Sequence, residues 1–487
     1  MNYIGVDLGS TNLKAAAYDG AFRCLARESE GVDYDRSGGF VEFDAEAYFQ
    51  SLTAMLRRLA RAADLRPGER VRLGLTGQAE SLVILGADGA PLMNAISWMD
   101  ERSRDECASL AARFSPAECE AVTGQMAVLP TWPATKILWL RHSRSEIFEK
   151  AAHYVLLKDY IVFRLTGRLE ADCSIATFSF YFDIYRRRYW PEMLEAIGVR
   201  PEQLPPLAEP CTEAGPLTAA AAAEAGLPED TAVNIGTLDH FAGMIGTGNV
   251  EPGLVSLSTG TVMALAAMAR AGRPCGIAMH YGFLPGRRVM LAVAESGGAC
   301  LEWFRKTCMP DTDYAALNRA LESRELREDV LFLPYLVGTN APRFETDASG
   351  MFYGLRAHHD AVDMAAAVMK GVAFLLRENC EAMRAAGEEP RRIIATGGGA
   401  KSAVWCQMQA DVTGLPVVLP REKEAACLGA AMAAAVGAGT CGGYADAVRL
   451  AVSMERRFEP RAVPAYERQY RQYRLLCRAM RETAAVE

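Results

Sequence analysis

Apolar residues along this chain follow two alternating rhythms. Tyr3-Ile4-Gly5-Val6 and Leu13-Lys14-Ala15-Ala16-Ala17-Tyr18 read as strands, and the glycine and short hydroxyl residues of Asp7-Leu8-Gly9-Ser10-Thr11 between them predict a tight hairpin. Roughly 250 residues later a related pattern returns: Leu254-Val255-Ser256-Leu257, then Ser258-Thr259-Gly260-Thr261, then Val262-Met263-Ala264-Leu265. Two such units half a chain apart predict two halves of similar architecture. Elsewhere the period lengthens. Behind Asp44 as N-cap, Tyr48, Leu52, Met55, Leu56 and Leu59 fall at helical spacing, and Val71-Arg72-Leu73-Gly74-Leu75 follows as a strand. Val368, Val372, Leu375, Leu376 and Met383 make another helical face, which Gly387 ends ahead of the strand Arg392-Ile393-Ile394-Ala395. Mixed layers in both halves make the fold class α/β.

Glycine and proline crowd together at Gly243, Gly246, Gly248, Pro252 and Gly253, which sets the expected domains at 1–245 and 246–487; simple turns are the other reading of these glycines. The most apolar tract, Ala425 to Ala438, is built of alanine and glycine and reads as a tightly packed helix. Near the end, Tyr466, Tyr470, Tyr473, Leu476 and Met480 share a helical face that needs cover from the first domain or from a second subunit, so a homodimer is one expectation.

Composition narrows the function more than the fold. A chain of 487 residues exceeds what one hydrophobic core holds, and 50% apolar with 23% charged residues is a globular balance. A net charge of −8 and a pI near 5.5 offer no field that gathers nucleic acid or anionic lipid. The first residues lack the basic lead and apolar run of a signal peptide, and no stretch reaches the roughly 18 apolar residues of a membrane span. A cytoplasmic protein without nucleic-acid or membrane partners is expected. Thirteen cysteines, an odd number without a CxxC pair, read as reduced thiols, and six histidines without zinc spacing argue against a transition metal.

Phosphoryl transfer needs backbone donors around phosphate oxygens, a carboxylate to position a metal, and a base for the acceptor hydroxyl. Asp7-x-Gly9-x-Thr11 sets a carboxylate at a strand end beside a turn whose amides and hydroxyls can face phosphates. Taken alone, an Asx-type hairpin explains it as well or better. Ser258-Thr259-Gly260-Thr261 repeats the small hydroxyls and the glycine. In Gly236-Thr237-Leu238-Asp239-His240 an acidic residue follows the strand Ala232-Val233-Asn234-Ile235, where catalytic side chains sit on α/β scaffolds. Read as extended chain, the segment turns His240 to the opposite side, which makes Asp239 the candidate base and His240 a candidate substrate contact. Thr396-Gly397-Gly398-Gly399-Ala400-Lys401-Ser402 misses two Walker A glycines, with Ala395 and Ala400 in their places. Its three glycines instead allow a flat ligand such as adenine to approach the backbone.

Taken in order, these segments resemble the FGGY carbohydrate kinases of the actin-like ATPase superfamily. The resemblance spans nearly the whole chain. It adds Thr76-Gly77-Gln78-Ala79-Glu80, Trp98-Met99-Asp100-Glu101-Arg102, Lys158-Asp159-Tyr160 with Arg164-Leu165-Thr166-Gly167, Leu333-Pro334-Tyr335-Leu336, Gly350 to Leu355, and Leu428-Gly429-Ala430-Ala431. It implies two ribonuclease-H-like domains that close on sugar and ATP in an interdomain cleft. It also implies that Asp7 helps hold Mg²⁺ through water, that Ser10, Thr11 and Lys14 meet the ATP phosphates, and that Thr259 and Gly260 form a second phosphate turn. Gly298 and Glu302 stand where the family contacts nucleotide, Gly398 and Ser402 would flank adenosine, and Asp239 matches the catalytic base.

Departures from the pattern bear on the acceptor. Kinases of the xylulose type usually carry Gln-Met-His where this chain has Gln78-Ala79-Glu80; glycerol kinases carry Arg-Glu there, which Glu80 matches and Ala79 does not. Ser258 stands where the second phosphate turn usually has glycine. The Trp98 to Arg102 and Gly399 to Ser402 segments resemble the sugar branch, so a ketose such as a pentulose is expected, with glycerol, a tetritol or a hexulose as alternatives. Gln78, Glu80, Trp98, Asp100, Trp132 and His240 are the candidate sugar contacts. Core packing is an equal reading for the two tryptophans, and a solvated loop is the other reading for Glu80 and Asp100. An actin-like nucleotide-binding regulator, which would lack the acceptor base, is the alternative from another class.

Overall fold

The computed structural model of the protein describes residues 1–66, 68–270, 276–323, 329–343, 345 and 347–484. Contacts divide the chain into two compact units. One comprises Met1–Val250, Met279–Val289 and Glu424–Val452, and the other Glu251–Ala278, Met290–Lys423 and Ser453–Glu487.

The first unit is organised on strands β1 (Asn2–Leu8), β2 (Asn12–Tyr18), β3 (Cys24–Gly31), β4 (Val71–Gly77), β5 (Glu213–Pro216) and β6 (Ala232–Leu238), in the spatial order β5-β6-β4-β1-β2-β3. β1, β2 and β3 form an antiparallel meander; β4 joins β1 in parallel, β6 joins β4 in parallel, and β5 closes the edge antiparallel. Alternation decides what each face meets. Ile4, Val6 and Leu8 enter one core with Tyr48, Leu52, Met55, Leu56 and Leu59 of the helix Ala45–Ala62. That helix starts at the expected cap, where the Asp44 carboxylate accepts from the Glu46 and Ala47 amides at 2.8 and 3.1 Å. Gly5 and Gly74 meet the helix Ala425–Gly437 so closely that a Cβ would sit 1.8 Å from the Cys427 carbonyl oxygen and 1.9 Å from that of Ala430. The alanine and glycine tract is therefore packed backbone to backbone against the sheet.

The second unit repeats the scheme. Its strands β7 (Leu254–Thr259), β8 (Met263–Ala269), β9 (Arg288–Ala294), β10 (Arg392–Thr396), β11 (Val417–Pro420) and β12 (Met454–Phe458) run β9-β8-β7-β10-β11-β12 within a seven-stranded sheet. Again a hairpin, β7 with β8, is extended by two parallel strands and an antiparallel edge. Both sheets have the strand order of a ribonuclease-H-like core, as the family resemblance implies, and the likeness of the two halves is the one the repeated hairpins predict.

Two expectations change. β6 runs on to Leu238 and a helix begins at Asp239 (Asp239–Gly246), so Asp239 and His240 are successive helical residues and the extended-chain reasoning about His240 does not apply. The tail helix Pro464–Ala484 is covered from within its own unit: Tyr470 and Tyr473 pack on Phe374 of the helix Ala361–Ala385, with ring centroids 5.6 and 5.4 Å apart. Among the described residues no helix is long and apolar enough to cross a membrane, and the cysteines are free thiols.

Candidate active site

The carboxyl ends of the parallel strands β1, β4 and β6 bring Asp7, Gln78 and Asp239 to one edge of the first sheet, with Asp7 opposite Thr76 and Thr76 opposite Thr237. Lys14 faces Asp7 across the β1–β2 hairpin, and its ammonium donates to Glu424 Oε2 at 2.9 Å. Asp7 Oδ1 is buried and, among the described residues, has no hydrogen-bond partner. Burial first, then the charge of Asp239, pushes the Asp7 carboxyl up to about 7; Glu424 adds to the rise and Lys14 opposes it. Three carboxylates around one ammonium, with one oxygen unsatisfied, have an unmet demand for positive charge and fit a divalent cation. Ser10 and Thr11 stand in the hairpin turn, half-buried and exposed respectively. Among the described residues the Asp239 carboxylate enters no ion pair; Oδ1 accepts from the His240 amide at 2.6 Å.

The proposed sugar contacts divide by what holds them. Gln78 is buried and accepts from Ser81 Oγ at 2.8 Å, while Ser81 Oγ also accepts from the Trp98 amide at 3.1 Å, so one hydroxyl ties the two loops together. Glu80 takes a left-handed conformation at φ 65°, and its carbonyl accepts from Lys136 Nζ at 3.3 Å; the same ammonium donates to the Ser97 carbonyl at 2.8 Å. Burial raises the Glu80 carboxyl and lowers the Lys136 ammonium, each charge favouring the other. Trp98 is exposed. Asp100 is fully engaged internally: it accepts from the Val41 amide at 2.6 Å and from Arg102 Nε and Nη2 at 2.7 and 2.8 Å. Burial would raise Asp100, but Arg102 holds it below its ordinary value, and the guanidinium lies 4.0 Å over the Phe40 ring. Trp132 is buried and stacks on Phe180 at 5.7 Å, its indole N–H donating to the Ala127 carbonyl at 3.1 Å. His240 is exposed. Its charge acts on His280, a buried ring stacked on Phe178 at 4.5 Å and pushed down to about 3 by burial first and His240 second.

In the second unit all six expected nucleotide residues, Thr259, Gly260, Gly298, Glu302, Gly398 and Ser402, line one cavity of about 360 Å³. The β7–β8 turn and the helix Gly298–Cys308 are joined there, the Gly298 amide donating to the Gly260 carbonyl at 2.7 Å and Ala299 to Thr261 at 3.0 Å. Two of the three glycines after β10 serve a protein contact. A Cβ on Gly397 would lie 2.9 Å from the Thr259 carbonyl oxygen, and one on Gly399 would lie 2.7 Å from Thr259 Cβ, so they let the loops interlock, while Gly398 and Gly399 both line the cavity. Ser402 caps the helix Ala403–Thr413 by accepting from the Trp405 amide at 3.3 Å and donates to Asn318 Oδ1 at 2.6 Å. Glu302 pairs with Lys306 at 2.7 Å.

The N-terminal domain model of the FGGY family of carbohydrate kinases matches residues 2–246, and the C-terminal domain model matches residues 253–438. The chain belongs to this family. This FGGY kinase is similar to the xylulose kinase of Bacillus subtilis, 29% identical over 442 residues that cover 90% of this chain and 88% of that protein. It is 30% identical to the xylulose kinase of Escherichia coli over 416 residues, 85% of each. A solved structure described as a xyloylose kinase from Brucella ovis matches it with a TM-score of 0.92 at 30% identity, over 99% of this chain and 100% of that one. The fold is the two-domain actin-like ATPase fold, and the protein is an enzyme, a phosphotransferase that uses ATP and an alcohol group of a carbohydrate.

Several residues that stand beside the expected ones within each unit escaped the sequence. Glu424 is 410 positions from Lys14. Tyr314 and Asn318 line the cavity from the helix Tyr314–Glu322, which has no motif of its own. Lys136 carries the one available signal: a lysine between Ala134 and Ile137, both buried, must bring its charge to a partner.

Proposed function

We propose that this enzyme transfers the γ-phosphoryl of ATP to a primary hydroxyl of a ketose, a pentulose of the xylulose kind, with Asp239 as the base. The supporting observation is the Asp239 carboxylate itself: it stands at the start of a helix at the carboxyl edge of the sheet, near Asp7, and is not consumed by any cation among the described residues. A carboxylate at that point accepts a hydrogen bond from the acceptor hydroxyl and takes its proton as the phosphoryl moves; positioning supplies most of the rate because the transition state is loose. Asp7 would hold Mg²⁺ through water, and the metal would neutralise charge on the phosphates. Lys14, Ser10 and Thr11 would meet the phosphates from the first hairpin, Thr259 and Gly260 from the second, with Gly298, Glu302, Gly398 and Ser402 around the nucleoside. Gln78, Glu80, Trp98, Trp132 and His240 would grip the sugar, and Asp100 would fix their loop through Arg102. In this reading residues 1–245 bind sugar and carry the first phosphate turn, residues 246–487 bind nucleotide, and the enzyme works in the cytoplasm.

Coupled ADP release with D-xylulose, L-xylulose, D-ribulose, D-fructose, glycerol and erythritol tests the acceptor. A pentulose should give the highest kcat/KM, and a polyol or hexulose in first place would replace it. Asp239→Asn should lower kcat by about 10²–10⁴-fold while calorimetric sugar affinity is retained; near-normal turnover removes Asp239 as base.

A further inference from the structure

Just before Asp239 the sheet loses its register. β6 slips against β4 between Asn234 and Thr237, and Gly236 sits at φ 74° with no room for a side chain, since a Cβ would lie 1.5 Å from the Leu75 carbonyl oxygen. A bulge frees backbone groups from the ladder, and here buried side chains take them up. Lys158 Nζ donates to the Ile235 carbonyl at 2.7 Å, Asn234 Oδ1 accepts from the Gly236 amide at 2.9 Å, Thr76 Oγ1 donates to the Thr237 carbonyl at 2.7 Å, and Ser174 Oγ accepts from the Leu238 amide at 3.2 Å.

The Ser174 hydroxyl can be assigned completely. Both Asp172 oxygens lie 2.9 Å from it, and an ionised carboxylate only accepts, so Ser174 donates its one proton there. Its two lone pairs are left for the Leu238 amide and for Thr237 Oγ1 at 2.8 Å, which must then be a donor. Asp172 is oriented in turn by Lys158 at 3.2 Å, and the third contact of that ammonium is Asp159 at 3.4 Å. Lys158, Asp172, Ser174 and Thr237 are all completely buried. A buried ion cluster is a poor source of stability, because desolvation offsets most of its Coulomb attraction. What it supplies is a rigid set of donors and acceptors in a dry interior, where each partner admits one arrangement.

We infer that Lys158, Asp172 and Ser174 are positioning residues for the transfer reaction: they fix the bulged backbone of Ile235 to Leu238 and so aim the Asp239 carboxylate. The inference rests on the reading of Asp239 as base. A base misplaced by about an ångström loses rate without losing affinity, so the effect belongs in kcat. Ser174→Ala should lower kcat about 10–100-fold, with KM for ATP and for D-xylulose within about twofold of wild type. Thr237→Val, which keeps the shape and removes the donor to Ser174, should lower kcat about 5–10-fold, and Thr237→Ser should restore it. Should Ser174→Ala fail to fold, the Thr237 pair decides alone: an unchanged kcat in Thr237→Val overturns the inference. In a folded Ser174→Ala, kcat within twofold of wild type, or a loss carried by KM, also overturns it. Asp239→Asn assayed alongside separates the two failures, since turnover surviving there removes the base itself rather than its support.

Discussion

Lys14 Nζ and Glu424 Oε2 meet at 2.9 Å although 410 positions separate them, and this pair places a cation directly beside Asp7. Burial alone would lower the Lys14 ammonium; the hydrogen bond and charge of Glu424 outweigh it and hold the lysine protonated. Both side chains are more than a third exposed, at 38% and 35%, so the pair contributes under about 1 kcal/mol to folding. Its use is in presenting charge. Lys14→Met should therefore leave the melting temperature within a few degrees while raising KM for ATP on the order of 10–100-fold, the worth of a charge-assisted hydrogen bond to phosphate. An ATP KM equal to wild type would remove Lys14 from the phosphate site.

The helix that begins at Asp239 approaches the helix Ala425–Gly437 backbone to backbone at two glycines. A Cβ on Gly429 would lie 1.8 Å from the Ala242 carbonyl oxygen, and one on Gly246 would lie 1.9 Å from that of Ala425. Gly429→Ala should cost about 3 kcal/mol or more, because the clash is with backbone that cannot rotate away. Gly243→Ala, in the facing helix Asp239–Gly246 with nothing among the described residues within 4 Å of the added Cβ, should instead gain about 0.5–1 kcal/mol. Urea midpoints of the two variants test the contact; similar values would mean that the helices are not so closely packed.

What could be read from the sequence was what is local. The two hairpins, the Asp44 cap and the alanine and glycine helix each announce themselves within a dozen residues, and their recurrence gives the doubled sheet. Thr259 and Gly260 of the second hairpin and the three glycines after β10 were legible as backbone-lined turns of glycine and small hydroxyls, whereas Gly298 and Glu302, which line the same cavity, were reached only through the family resemblance. Tyr314 and Asn318 reach the same cavity from an ordinary amphipathic helix, and nothing in its pattern distinguishes a lining position from a surface one. The junction at Asp239 misled because Thr237-Leu238-Asp239-His240 has no side-chain period that marks where strand becomes helix. Lys158 within Leu156-Leu157-Lys158-Asp159-Tyr160-Ile161-Val162 was a signal of another kind: charges inside an apolar run are buried, and their partners, Asp172 and the Ile235 carbonyl, come from elsewhere in the chain.

Glu80 and Lys136 supply a test of coupling. Lys136 Nζ satisfies the Glu80 and Ser97 carbonyls, and its charge offsets the buried Glu80 carboxyl. Lys136→Met should destabilise by about 3–5 kcal/mol, the cost of leaving a buried charge without its partner. Glu80→Gln together with Lys136→Met should cost less than the two single changes summed, because the charge that Lys136 balanced is then gone. Denaturant unfolding of the four proteins checks this, and additive costs would mean that the two groups do not interact.

The cluster beneath Asp239 carries a pH signature. Burial, ahead of every other cause, pushes Asp159 up to about 7 from its ordinary 3.8; Asp172 reinforces the rise and Lys158 opposes it. Cys173, Tyr181 and Tyr189 also feel this carboxyl, and all three are themselves raised by burial, so Lys158 is the positive charge that balances it. A carboxyl raised on folding holds its proton more tightly in the native chain. Its contribution is complete below about 3.8 and is lost as pH rises through about 7, at a slope of about 1.4 kcal/mol per pH unit between them. Asp159→Asn cannot titrate, so the stability of wild type relative to this variant should fall by about 2 kcal/mol between pH 5.5 and 7, and level off above pH 8. Urea midpoints at four pH values measure the difference directly. A wild-type-minus-variant difference that is flat over that range would mean that Asp159 is ionised throughout, with Lys158 compensating its burial in full.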